Sequence, residues 1–450
     1  MAKRAVSGGA VETKSARPPA RARRRALPRL LSFVEKLGPG IVTGAADDDP
    51  SGIATYSQVG AQFGFSMLWT MLLTYPLMAA IQEISAWIAR VTGAGLAANI
   101  RRHYSSAILY PIVGLLLVAN VINIGADIGA MGSAARLVLG GSACLYAIVF
   151  GLASTVAAVA IPYKSYARIL KWSTLVLLVY VATALTIHTP LKPILSGAFL
   201  PSLTFSRDYL TALMAVFGTT ISPYLLFWQA SVEVQEQQAA PREKPLKQAP
   251  HQANAQLQPM RADTYLGMAF SNAIAFFIIL DTAAVLHAGS ITDIQTSAQA
   301  AEALRPLAGE LAFLLFSIGI VGTGMIAIPV LAGSSAYALG ETLKWRIGLE
   351  RKLHRARGFY AILSTATLIG VGLNFAGFNP IKALFWSAVI NGLTAVPIMI
   401  LMMAMTSNSQ LTGSLRLPLP QKVIGWVATV IMFMVAAGML ATFAGGIPAR

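Results

Sequence analysis

Long apolar runs, separated by short polar stretches, fill most of the chain. A helix that crosses a bilayer needs roughly 20 predominantly apolar residues. Eleven runs meet that length: 38–61, 66–90, 107–136, 142–162, 166–188, 208–235, 263–288, 308–341, 358–375, 379–404 and 421–445. The pattern predicts an all-α integral membrane protein of about eleven transmembrane helices, forming one membrane domain over 38–445. Several runs are too long for one straight crossing and are expected to tilt or to continue into the interface.

Composition agrees. Of 450 residues, 56% are hydrophobic and 12% charged, whereas soluble domains carry about a quarter charged residues. Mean hydropathy is +0.64. The single Cys144 excludes a disulfide framework or a thiolate zinc site. A net charge of +16 would suggest nucleic acid in a soluble protein. Here its placement says otherwise. With the N-terminus inside, only Arg136, Lys192, Arg207, Arg305, Lys382 and Arg450 fall on the opposite side, and the other 28 of 34 Lys and Arg face the cytoplasm. A shift of one span would scramble that division, so an odd number of spans is expected, with the C-terminus outside.

Residues 1–30 hold Arg23, Arg24 and Arg25 with a single acid, Glu12, and read as a disordered basic tail beside anionic lipid. Such a tail could also bind nucleic acid or direct organelle import. The charge division favours the topogenic role, with the bilayer as partner, no nucleic acid and no obligatory protein partner. No cleavable signal peptide is expected, because the first apolar run starts too far in and is too long. A bacterial inner membrane is the expected location.

The candidate chemistry lies where apolar runs are interrupted. The first run contains Asp47-Asp48-Asp49-Pro50-Ser51-Gly52. A mid-span acid costs about 2.5–3.5 kcal/mol on insertion scales, and Pro50 removes a backbone donor. Two half-helices with an unwound segment between them are therefore predicted. That segment must be buried in protein or line water. In the sixth run, Gly218-Thr219-Thr220-Ile221-Ser222-Pro223 repeats the signal. Breaks in spans one and six fall at matching places in two five-span halves, about 38–188 and 208–404, with an extra helix at 421–445. That is the mark of an inverted-repeat secondary transporter with a midplane site. The groups on offer are the Asp49 carboxylate, freed carbonyls near Ala46 and Thr219, and the hydroxyls of Thr219 and Ser222. All are hard oxygen donors, suited to Mg²⁺, Mn²⁺ or Ca²⁺. Asp49 could instead cap the second half-helix, and Ser222 and Thr219 could bond back onto helix carbonyls. Asp47 and Asp48 are expected to cap amides or to line the path to the site, and Asn391 in span ten to line that path. Glu83, Asn272 and Asp281 read as polar glue between spans.

The residues Gly38–Gly64, Ile81-Gln82 through Val91-Thr92-Gly93 and the break at Pro223 resemble the NRAMP family of divalent-metal transporters. The resemblance covers the chain from about Leu37 onward. It implies a LeuT-type 5+5 inverted repeat. Family members bind metal through Asp-Pro-Gly-Asn in the first break and Ala-x-x-Met-Pro-His in the sixth. By this resemblance the ligand positions are Asp49, Gly52 (for Asn), the Ala46 carbonyl, Thr219 (for Ala) and Ser222 (for Met), and Tyr224 stands for the His. With neither thioether nor amide ligand, the site resembles that of the NRAMP-related magnesium transporters. Mg²⁺ or Mn²⁺ is the expected cargo, with no resident cofactor. The family's proton route is mostly missing: Asp127 remains as a proton or gating group, Ala130 replaces the Glu, and 359–375 contains no Lys or Arg. Uncoupled transport is expected.

Other classes fit less well. A Mg²⁺-dependent membrane enzyme needs a second acidic cluster facing the first, and the spans contain none. A LeuT-type carrier of a small organic cation or amino acid, with Asp49 pairing an ammonium, is the alternative, since fold does not fix substrate.

Overall fold

A proline pushes the residue before it out of helical geometry and cannot donate to the turn behind it. The computed structural model describes residues 43–44, 46–161, 173–349 and 351–444. Residues 1–30 lie outside the described residues. The principal helices are α1 (Pro50–Phe63), α2 (Trp69–Thr92), α3 (Leu96–His103), α4 (Ser106–Leu139), α5 (Ala143–Ala160), α6 (Leu178–Thr186), α7 (Leu191–Phe199), α8 (Arg207–Thr220), α9 (Pro223–Ala239), α10 (Ala253–Thr282), α11 (Ala312–Thr342), α12 (Arg357–Leu373), α13 (Pro380–Thr406) and α14 (Leu419–Ala444). Each of the eleven apolar runs carries helix. Among the described residues nine helices are long and apolar enough to cross a membrane. Span one is split, and span five is described only from residue 173.

Both expected breaks are present, each at an X-Pro step. Residues 43–44 and 46–47 are helical, Asp48 and Asp49 are not, and α1 starts afresh at Pro50. Asp49 is extended (φ −69°, ψ 171°) and caps α1 by accepting from the Gly52 amide. In span six, α8 stops at Thr220, Ser222 is extended (φ −77°, ψ 128°), and Pro223 opens α9. Proline suits the first helical position because that amide has no partner within the helix.

Helix crossings bring the two breaks together. The long α4 packs on α5, α11, α12 and α13, while α8 lies on α13 and also meets α1. At the α8–α13 crossing there is no room for side chains. A Cβ on Gly218 would overlap the Ala388 carbonyl, and one on Gly392 would meet Met214 and Gly218. The outer helices expose apolar stripes, as membrane-spanning helices do. On α5, Leu145, Val149, Leu152 and Val156 form an exposed stripe, and Ala147, Gly151, Ser154 and Ala158 pack inward.

Polar residues within spans mostly act as glue. Glu83 accepts from Arg261 Nε at 2.6 Å and from the Tyr265 hydroxyl at 3.1 Å. Asn272 joins the Met71 carbonyl at 3.0 Å and the Thr74 hydroxyl at 3.2 Å. Asp281 departs from that expectation: it is fully buried, and neither carboxyl oxygen has a hydrogen-bond partner among the described residues. Near the other end of span two, Arg90 pairs with Glu233 at 2.6 Å, Glu243 at 2.7 Å and Glu236 at 3.3 Å, tying α2 to α9 and its following loop.

Candidate functional site

The extended Asp49 lies between the two breaks, 1% exposed. Its Oδ1 accepts from the Ser51 hydroxyl and the Gly52 amide, both at 2.7 Å. This is the capping role, and it occupies one oxygen. Oδ2 faces the other way, taking a bond from Asn123 Nδ2 on α4 at 3.1 Å and lying 3.3 Å from the Tyr224 hydroxyl on α9. The Tyr224 hydroxyl also reaches the Ala46 carbonyl at 3.0 Å. One phenolic proton serves two acceptors, so the Ala46 carbonyl, Asp49 Oδ2 and Tyr224 oxygen form a compact group of oxygens short of donors.

The other expected residues fall around this group in different ways. Thr219 sits across from Gly52: a Cβ on Gly52 would lie 3.2 Å from Thr219 Oγ1 and 3.2 Å from the Asp47 carbonyl. The Tyr56 hydroxyl lies beside Thr219. Ser222 turns its hydroxyl back onto the carbonyls of Gly218 (3.0 Å) and Thr219 (2.8 Å), the back-bonded arrangement. Asp127, one helical turn past Asn123, is turned towards the Ser51 amide, with neither oxygen properly bonded. Asn391 on α13 is fully buried, and neither end of its amide has a hydrogen-bond partner among the described residues. Asp47 and Asp48 point elsewhere, to Ser271 on α10, at 2.6 and 2.9 Å.

Several residues emerge only from the structure. Asn123 holds Asp49, and is itself held by the Ser387 hydroxyl of α13 at 2.6 Å. Ser387 and Asn391 are four apart on α13 and so share one face. The network Asp49–Asn123–Ser387 thus ties span one to spans three and ten. Asn123 and Asp127 are likewise four apart, and that spacing was a signal in the sequence. Ser271, Ser387 and the Thr43–Gln229 bond (2.5 Å) between spans one and six carried no such signal. Among the described residues no three His, Cys, Asp or Glu side chains converge as a metal cluster. No Lys or Arg pairs with Asp47, Asp48 or Asp49 among the described ion pairs. Chemically, the site offers the Asp49 carboxylate plus neutral oxygens, with the Asp127 carboxyl close by at the Ser51 amide.

A family model for natural resistance-associated macrophage protein-like (Nramp) chains matches residues 40–442. The chain belongs to the Nramp family. It is 25% identical over 407 residues to a divalent metal cation transporter, MntH, of Klebsiella pneumoniae, covering 88% of this chain and 91% of that one. Among solved structures it is similar to the Eremococcus coleocola manganese transporter, with a TM-score of 0.71 at 16% identity over 93% of this chain and 90% of the other. MhsT in complex with L-phenylalanine shares the fold more distantly, with a TM-score of 0.59 at 15% identity, covering 90% of this Nramp chain and 97% of MhsT. The LeuT-type architecture with broken spans one and six is therefore that of this Nramp chain.

Proposed function

We propose that this protein carries divalent metal cations, Mg²⁺ or Mn²⁺, across a bacterial inner membrane by alternating access, without coupled proton flow. One observation carries the reading. Asp49 is a buried carboxylate at the meeting point of two broken spans, ringed by oxygens and amides and without a cationic partner among the described residues. An intramembrane acid so placed marks an ion pathway. The related MntH proteins and the manganese transporter carry the class of ion that such oxygens suit.

The ligands are Asp49 Oδ2, the Ala46 carbonyl and, across the gap, the Thr219 hydroxyl. The unpartnered amide of Asn391 supplies the neutral oxygen that Gly52 lacks. Ser222 stands where the family carries Met, so the ion meets no thioether there, and the serine hydroxyl is itself bonded back onto the helix. This favours hard, partly hydrated ions. Proton flow lacks a continuous relay: Tyr224 occupies the His position, Ala130 the Glu position, and α12 has no basic residue after Arg357. The N-terminus is cytoplasmic and the C-terminus outside, as the Lys and Arg division requires.

The test is uptake of Mg²⁺ and Mn²⁺ into proteoliposomes with a pH indicator inside. The expected result is saturable influx, competed by other divalent ions, at constant lumenal pH. Stoichiometric acidification would contradict uncoupled transport, and saturation by an organic solute instead of metal would replace the cargo.

A further inference from the structure

Asp49 is not the only acid in the first break, and its neighbours face a different helix. The end of the first half-helix lies flush on α10, where a Cβ on Gly44 would overlap the Gly267 backbone. One turn further along α10, the Ser271 hydroxyl sits 2.6 Å from Asp47 Oδ2 and 2.9 Å from Asp48 Oδ1. All three side chains are buried, Asp47 and Asp48 at 1% exposure and Ser271 at 0%. A serine carries one proton, so two carboxylates share a single neutral donor. The remaining oxygens, Asp47 Oδ1 and Asp48 Oδ2, have no hydrogen-bond partner among the described residues. No Lys or Arg reaches either acid among the described ion pairs. Burying charge without pairing or hydrogen bonds is costly, and a cation between the two carboxylates would supply what is missing.

Asp47, Asp48 and Asp49 do not form one three-carboxylate centre. Asp49 is committed to α1, Asn123 and Tyr224, while its neighbours are committed to α10. The break therefore carries two acidic groups with different partners, Asp49 on α1, α4 and α9 and the Asp47–Asp48 pair on α10.

We propose that Asp47, Asp48 and Ser271 form a second divalent-cation station beside the Asp49 site, filled in turn with it as the ion passes. It rests on the transport reading in that the same cargo visits both places. Two carboxylates and a hydroxyl are hard donors for a divalent ion that keeps several of its waters. Simultaneous filling by two divalent ions is opposed by their mutual repulsion in a low-dielectric interior. Ser271 is a positioning residue, aiming the two carboxylates at one point.

Mn²⁺ binding to the purified full-length chain in detergent, followed by electron paramagnetic resonance, tests this. In Asp49→Ala, Mn²⁺ binding persists but weakens, and addition of Asp47→Asn and Asp48→Asn removes it. In the Asp49→Ala background, Ser271→Ala, which deletes one hydroxyl only, weakens the remaining binding by about tenfold, as loss of an orienting partner does. Loss of all Mn²⁺ binding in Asp49→Ala alone overturns the second station and leaves the Asp49 reading standing. Unchanged affinity on adding Ser271→Ala also overturns it. Wild-type affinity in Asp49→Ala, with binding lost in Asp47→Asn/Asp48→Asn, would instead overturn the Asp49 reading and keep the station.

Discussion

At the scale of single residues, function turns on how many donors each buried oxygen has. Asp49 Oδ2 depends chiefly on Asn123, because the Tyr224 proton has the closer Ala46 carbonyl to serve. Asn123→Ala should therefore leave Asp49 in place on Oδ1 but let its second oxygen drift. The expected effect is a rise in KM for Mn²⁺ of about 10–100-fold, the usual consequence of losing a partner that orients a ligand. An unchanged KM would show that Asn123 only packs. On the proposed reading, selectivity belongs to position 222. With serine there, no thioether faces the ion. Ser222→Met should shift the binding order towards Cd²⁺ and Co²⁺ relative to Mg²⁺, measured by competition against Mn²⁺. An unaltered order would mean that this position does not select.

At the scale of elements, the two X-Pro breaks were legible because proline and glycine act locally. Asp49-Pro50 and Ser222-Pro223 each end one half-helix and start the next, as their neighbours in sequence already imply. What lies opposite each break was not legible. Ser271 and Ser387 are single hydroxyls in apolar runs, and only the crossings of α10 and α13 with the first span give them a role. The direction of the Ser222 hydroxyl is a rotamer choice, so the sequence left both readings of it open. Asp281 shows the same limit from the other side. It looks like Glu83, yet Glu83 meets Arg261 and Tyr265 while Asp281 has no hydrogen-bond partner among the described residues. The two should then respond oppositely. Glu83→Ala should destabilise the protein in detergent by about 1–3 kcal/mol, and Asp281→Leu should raise the unfolding temperature by relieving a penalty of about the same size. A loss of stability in Asp281→Leu would show that its carboxyl has a partner after all.

At the scale of the whole molecule, alternating access needs contacts that break on one side while the site stays intact. Arg90 with Glu233, Glu236 and Glu243, and Thr43 with Gln229, join span one, span two and the second half of span six on one side of the break. On the proposed reading, they are the contacts that open for the ion to leave on that side. Arg90→Gln should shift the population towards that open state, seen as faster labelling of Thr43→Cys in a Cys144→Ser background. Equal labelling rates would place the moving contacts elsewhere. The central claim, however, is that one carboxylate between two broken spans holds the cargo. Metal influx into proteoliposomes containing Asp49→Ala measures it most directly, with folding checked by gel filtration. Influx at the level of protein-free liposomes is the predicted result, and influx at the wild-type rate would contradict the account.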